Sequence, residues 1–261
     1  MREEETRRGD HTKDVRVIEE AVQSIAHAPL HQLGLHRLKE EEENVLPVLF
    51  LDLDNTLYGA ETGIADLMAQ RITDFMEFRL GLSVREALEL GHRYYKDYGL
   101  AVRGLLWHHR DVDPLEYDAF VDGGLPLDHL LQPNHKLIEL LGRCQARLWI
   151  FTNAGLGHSL RVLNLLGLDH LFEGICYCDY QEPEFPAKPM PEAYKRAMRH
   201  AKVSHKATCY FVDDSVDNVN AARELGWKAL HLNGNDLRVI NEIADHWPEL
   251  FKTTRLDETL L

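Results

Sequence analysis

At 261 residues and 44% hydrophobic, the chain is long enough for one well-buried core with an inserted subdomain, and it needs no disulfide staple to fold. A net charge of -14 argues against a protein that lives on nucleic-acid backbone, and no apolar run approaches the roughly 18 residues that cross a bilayer. The start, Arg2-Glu3-Glu4-Glu5, is no signal peptide, and Cys144, Cys176, Cys178 and Cys209 fit no zinc pattern and read as reduced core thiols, so the expectation is a soluble cytoplasmic protein, with the nucleus as a second compartment.

Residues 1–46 read as a charged extension ending in the acidic run Glu40 to Glu43, which is expected to be solvated. Within it Val15, Ile18, Val22 and Ile25 recur at helical spacing and predict one short amphipathic helix. At Pro47 the pattern changes. The apolar run Val48 to Leu51 predicts a buried strand, and it delivers Asp52-Leu53-Asp54-Asn55-Thr56-Leu57-Tyr58, two carboxylates one residue apart followed by a polar turn. Such a pair can hold a cation, attack phosphorus, or cap the strand; the segment alone leaves all three open.

Almost a hundred residues then separate this strand from the next, far more than a crossover needs. Ile64, Leu67, Met68, Ile72 and Phe75 fall on one helical face, Val84, Leu88, Gly91, Tyr95 and Tyr98 on another, and Pro114 opens a third helix through Phe120 and Val121. Residues 61–129 are therefore expected to form a helical cap, set between core segments 47–60 and 130–261. Four further strand-length runs follow at Arg147–Phe151, Gly174–Cys178, Thr208–Val212 and Lys228–Leu232, separated by amphipathic stretches near His135–Cys144, Leu156–Leu166, Pro191–Ala201 and Asp217–Leu225. Strands alternating with helices predict an α/β fold, a Rossmann-like three-layer parallel sheet that binds ligand beyond the carboxyl ends of its strands.

Each of those ends carries a residue type that phosphoryl chemistry uses. Phe151 leads into Thr152-Asn153-Ala154-Gly155, where a hydroxyl and main-chain amides ahead of a helix suit phosphate oxygens, although alone they also read as a plain N-cap. Lys188 stands between Ala187 and Pro189 in a loop stiffened by prolines, where a solvated lysine is the competing reading. Val212 leads into Asp213-Asp214-Ser215, an acid pair that serves equally as metal ligands or as a helix cap.

In this order, Asp-x-Asp-x-Thr, Thr-Asn, Lys and Asp-Asp resemble the four motifs of the haloacid dehalogenase superfamily, over about Pro47 to Leu232. The segment from Tyr98 to Leu105, the following Leu115-Glu116-Tyr117 and the DLDNTLY form of the first motif resemble the fungal pyrimidine 5'-nucleotidase branch. The resemblance implies that Asp52 is the nucleophile and that Asp54 exchanges protons with the leaving oxygen and with water. It also implies that Thr152 and Lys188 bind the phosphoryl group, and that Mg2+ is held by Asp52, the Asp54 carbonyl and Asp214, with Asp213 further out. The second acid of the first motif favours phosphatase or mutase chemistry over dehalogenation. Some relatives place an acid where this chain has Asn218. Asn153, Ala154, Tyr58, Tyr94, Arg103, Trp107 and His108 are the candidate substrate contacts, with packing roles equally open for the side chains from the cap. A His108-His109 metal pair is disfavoured, because adjacent histidines project differently and no third ligand is placed.

The resulting expectation is a magnesium-dependent phosphatase that hydrolyses nucleoside 5'-monophosphates such as UMP and CMP through an aspartyl-phosphate; the sequence leaves its oligomeric state open, a monomer among the options. The alternatives are a phosphatase or mutase for nicotinamide mononucleotide, a sugar phosphate or a lysophosphatidate, and a non-catalytic interaction protein working through the acidic extension. Intact catalytic positions weigh against the last.

Overall fold

Val48-Leu49-Phe50-Leu51 has no polar face, so it is stable only with apolar cover on both sides, and it forms the central strand β1 (Val48–Leu51) of a five-stranded sheet. A computed structural model of the chain describes residues 46–232 and 238–252; the expected N-terminal helix lies outside them. All elements below belong to the unit Val45–Leu261.

The other strands are β2 (Arg147–Phe151), β3 (Gly174–Cys176), β4 (Cys209–Asp213) and β5 (Lys228–His231), in the order β3-β2-β1-β4-β5 with every pairing parallel. β3 is two residues shorter than expected because the chain leaves the sheet at Tyr177, and the Cys178 amide instead donates to the Ala154 carbonyl at 3.1 Å. β4 begins one residue late because Thr208 closes a 3-10 turn, its amide donating to His205.

Helices α1 (Ile64–Leu80), α2 (Val84–Tyr98), α3 (Ala101–His108), α4 (Pro114–Phe120) and the single turn α5 (Leu127–Leu130) fill the interval between β1 and β2. Ser83 and Glu86 form a reciprocal capping box at the start of α2, and Asp113 with Pro114 starts α4. α3, only eight residues long, has no counterpart in the predicted elements. Its close contact with α2 requires Gly104, where a methyl group would stand 2.4 Å from the root of the Tyr94 ring. Phe75, Met76, Tyr94, Leu105, Tyr117 and Val121 make a core for these helices, and Cys178, Phe185 and Ala187 from the loop after β3 complete it.

Beyond the insertion, α6 (His135–Gly142), α7 (Leu156–Leu166), α8 (Pro191–His200), α9 (Val216–Glu224) and α10 (Arg238–His246) follow, with ends one or two residues from those expected where a helix is expected. Alternation along the strands divides the sheet cleanly. Leu49, Leu51, Leu148, Ile150 and Val212 pack against α6 and α7, whereas Val48, Phe50, Cys209 and Phe211 pack against Tyr194 and Ala197 of α8 and Val219 and Ala222 of α9. With both faces covered, only the strand ends remain for chemistry. Among the described residues, no helix is long and apolar enough to cross a membrane.

Candidate active site

Register builds the site. β1 pairs Leu51 with Ile150 on one side and Val212 on the other, so the next residue, Asp52, emerges beside Phe151 and Asp213, and its amide still donates to the Val212 carbonyl at 2.9 Å. A tight turn follows, closed by the Leu57 amide on the Leu53 carbonyl at 2.9 Å, with Asn55 in the left-handed region at φ 56. The turn carries Asp54 back over the strand end and brings Tyr58 onto it.

Lys188 is almost fully buried, and all three of its donors are used within the protein: Asp52 Oδ1, Asp213 Oδ2 and the Phe151 carbonyl, each at 2.7 Å. The solvated-lysine reading is thereby corrected. The Asn153 amide group clasps the lysine backbone, Nδ2 donating to the Lys188 carbonyl at 2.9 Å and Oδ1 accepting from its amide at 2.7 Å. Thr152 is buried, and its Oγ1 accepts from the Ala154 amide at 3.0 Å. Neither Thr152 nor Asn153 is the helix cap, since α7 starts on Gly155.

Asp213 is saturated. Its Oδ1 accepts from the Ser215 amide and Asn218 Nδ2, and its Oδ2 from Lys188 and the same Asn218 group. Asn218 therefore holds Asp213 where an acid would repel it. Ligand oxygens of Asp52, Asp213 and Asp214 lie within 4.8 Å of one another, the only such group among the described residues. An all-carboxylate donor set suits a hard dication such as Mg2+. Three carboxylates share one ammonium here, and with Asp213 committed, Asp52 and Asp214 are the freer donors.

The protein's own groups push the Asp52 and Asp54 carboxyls in opposite directions. Burial pushes the Asp52 carboxyl well above its ordinary range; Lys188 opposes this and Asp213 adds to it. Burial also disfavours the ionised form of Asp54, but the charge and hydrogen bond of His158, then Tyr58, outweigh it and hold the carboxyl below its ordinary value. Asp214 is raised by burial and by Asp213. Positive charge added among Asp52, Asp213 and Asp214 favours the ionised form of Asp52 and opposes the effect of its burial.

His158 is absent from the sequence-derived candidates. It sits in the first turn of α7, fully buried, with Nε2 2.7 Å from Asp54 Oδ1. Its only sequence signal is a histidine where a helix N-terminus disfavours positive charge. Behind it, Asp118 of α4 and Asp122 of the following turn press on the start of α7: a methyl group on Gly155 would stand 3.2 Å from Asp118 Oδ1 and 3.4 Å from Asp122 Oδ2. Burial pushes Asp122 up to about 7, His158 opposing and Asp118 adding to the rise, and Tyr180 donates to Asp122 Oδ2 at 3.3 Å.

The remaining candidates divide among three places. Tyr58 donates to Asp54 Oδ1 at 2.5 Å. Arg103 and Trp107 line a cavity of about 200 Å³ with Tyr98, Arg110, Tyr180 and Phe185, and none of the strand-end residues reaches it. There Arg103 donates to the Tyr98 carbonyl and Met190 Sδ, both at 2.9 Å, while Trp107 is 45% exposed beneath the Arg110 guanidinium. His108 stacks on Tyr94 and bonds the Tyr98 hydroxyl at 2.6 Å, and His109 bonds the Tyr94 hydroxyl at 3.0 Å, so both imidazoles are held by tyrosines.

A family model of haloacid dehalogenase-like hydrolases matches residues 46–226. Phosphate metabolism protein 8 of Saccharomyces cerevisiae is 36% identical over 231 residues, covering 82% of this chain and 70% of that one. Among solved structures, a haloacid dehalogenase-like family hydrolase of Xanthomonas campestris is similar with a TM-score of 0.51 and 13% identity, covering 84% of this chain and 97% of that one. CbbY of Rhodobacter sphaeroides, in complex with xylulose 1,5-bisphosphate, has a TM-score of 0.50 at 19% identity, covering 72% and 87%.

Proposed function

The chain belongs to the haloacid dehalogenase-like hydrolases, and from that premise we propose that it is a magnesium-dependent phosphatase of nucleoside 5'-monophosphates, with pyrimidine nucleotides such as UMP and CMP as substrates. The observation that carries the phosphatase reading is the convergence of Asp52 and Asp213 at adjoining strand ends, each joined to Lys188 by a 2.7 Å contact, with Asp54 in the turn two residues beyond Asp52. The nucleotide reading rests on the likeness of the first motif and the α2–α3 segment to the pyrimidine 5'-nucleotidase branch.

An Asp52 carboxylate oxygen bonds to phosphorus while the phosphorus–ester bond breaks, its electron pair leaving on the ester oxygen, which takes a proton from Asp54. Water then attacks the aspartyl-phosphate, gives its proton to Asp54, and releases phosphate with the Asp52 carboxylate restored. The Thr152 hydroxyl, whose proton is left free by the bond it accepts from the Ala154 amide, and the Asn153 amide contact the phosphoryl oxygens. With its donors engaged, Lys188 offsets their charge through its field. When bound by Asp52, the Asp54 carbonyl and Asp214, with Asp213 one step behind, Mg2+ supplies the positive charge that keeps Asp52 ionised. The insertion acts as a cap over these strand ends, and the base is recognised on its side, by Arg103 and Trp107. The loop that ends in Lys188 also lines that cavity at Tyr180 and Phe185.

Purified chain with Mg2+ should release phosphate from UMP and CMP with the highest kcat/KM in a panel that also holds purine nucleotides, nicotinamide mononucleotide, sugar phosphates and a lysophosphatidate. Asp52→Asn should abolish it. No release from any compound, or an unchanged Asp52→Asn variant, overturns the phosphatase reading; release confined to the other esters overturns the nucleotide reading alone.

A further inference from the structure

Both protein contacts to the Asp54 carboxylate converge on one oxygen. His158 Nε2 lies 2.7 Å from Oδ1 and the Tyr58 hydroxyl donates to the same Oδ1 at 2.5 Å. Oδ2 takes no hydrogen bond among the described residues, and the side chain keeps 33% of its surface open. Facing a carboxylate oxygen that already accepts from Tyr58, His158 is assigned the Nε2–H tautomer. Its Nδ1 is buried without a partner, so the imidazole makes no other polar contact among the described residues. An oxygen that accepts two hydrogen bonds is the poorer place for a third proton, and the two bonds also fix rotation of the carboxyl about its bond to Cβ.

Resting on the phosphatase reading, we infer that His158 and Tyr58 are positioning residues that hold Asp54 by Oδ1 and reserve Oδ2 for proton exchange with the leaving oxygen and the attacking water. His158 touches no reacting atom. It acts through Asp54 from a helix of the opposite layer, 104 positions along the chain, so that β1, α7 and the turn after β1 together aim one oxygen. The step is the one already balanced: the proton leaves Asp54 Oδ2 as the ester oxygen takes the electron pair, and returns to Oδ2 from water.

Leaving-group dependence separates this role from support of the fold. kcat/KM reports the steps through formation of the phosphorylated enzyme. Proton donation there matters for a nucleoside or alkyl phosphate and little for p-nitrophenyl phosphate, whose leaving group departs unprotonated. His158→Ala should lower kcat/KM for UMP on the order of 100-fold, the low end of a general acid's contribution, and for p-nitrophenyl phosphate less than about threefold. His158→Gln, which keeps a donor near the Nε2 position and cannot titrate, should recover most of the UMP loss. Tyr58→Phe should show the same selectivity at a smaller size, and it decides the matter if His158→Ala does not fold. Equal losses on both esters in the folded variants, or a His158→Gln variant no better than His158→Ala, overturn the inference while leaving the phosphatase reading intact. A wild-type chain that hydrolyses neither ester overturns both.

Discussion

At the scale of single residues, the site is governed by the ratio of carboxylates to cations. Lys188 is buried between Asp52 and Asp213 and held in its charged form by them. Lys188→Met fills the same space with no charge and leaves two buried carboxylates facing each other. Removing one partner of a buried pair costs about 3–5 kcal/mol. The sign of its pH dependence follows from Asp52, whose carboxyl is already raised by burial and by Asp213 and loses its opposing neighbour in the variant. An acid whose folded value lies above the unfolded value of about 3.9 weakens the fold as pH rises past that value. Urea unfolding should therefore find Lys188→Met strongly destabilised at pH 7 and less so at pH 5, with phosphate release lost at both. Asp52, Thr152 and Asp213 were legible in the sequence because each directly follows an apolar run, Asp54 and Asp214 because they stand one or two positions further on, and Lys188 because it sits in a proline-rich turn. His158 was not, because nothing within 100 positions of it names Asp54; the pairing exists only once α7 is laid against β1.

Elements carry the next layer of the argument, where the insertion meets the sheet. Asp118 and Asp122 are four apart, and the structure turns both toward the start of α7 and buries Asp122. Arg161 of α7 answers from below, donating to the carbonyls of Asp122, Gly123 and Leu125. Burial and Asp118 raise Asp122 to about 7, against the smaller opposing pull of His158. Below about 3.9 the acid is protonated in both folded and unfolded chains; between there and about 7 only the unfolded chain ionises, so stability drains away over that window. Asn is the isostere of a protonated carboxyl, able to accept from Tyr180 and donate to Asp118. Asp122→Asn should match wild type near pH 4 and exceed it near pH 7 by on the order of 1–3 kcal/mol, read from urea midpoints at the two pH values. The helices on the sheet faces were predicted closely because their apolar stripes have one target. α3 was not among the predicted helices: at eight residues it is little more than two turns long.

For the whole molecule, the parallel sheet and the position of the site at its carboxyl edge follow from alternation of runs and from the handedness of crossovers, the order β3-β2-β1-β4-β5 is set by the structure alone, and the long interval after β1 marks where the insertion must lie. What alternation does not supply is which insertion side chains face a ligand: Arg103 and Trp107 share a cavity, whereas Tyr58 and His108 are turned to other partners. The same scale decides between an enzyme and an interaction protein that works through its acidic extension. Every group assigned here to catalysis or positioning lies between Asp52 and Asn218, inside the unit Val45–Leu261, as do all three apolar cores. A chain shortened to residues 45–261 should thus keep kcat/KM for its best nucleotide within about threefold of the full chain, since 1.4 kcal/mol of lost transition-state binding would already appear as a tenfold fall. A fall beyond tenfold in the shortened chain, with its thermal transition unchanged, would place part of the catalytic machinery in residues 1–44. Full retention would confine that machinery to the sheet and its insertion.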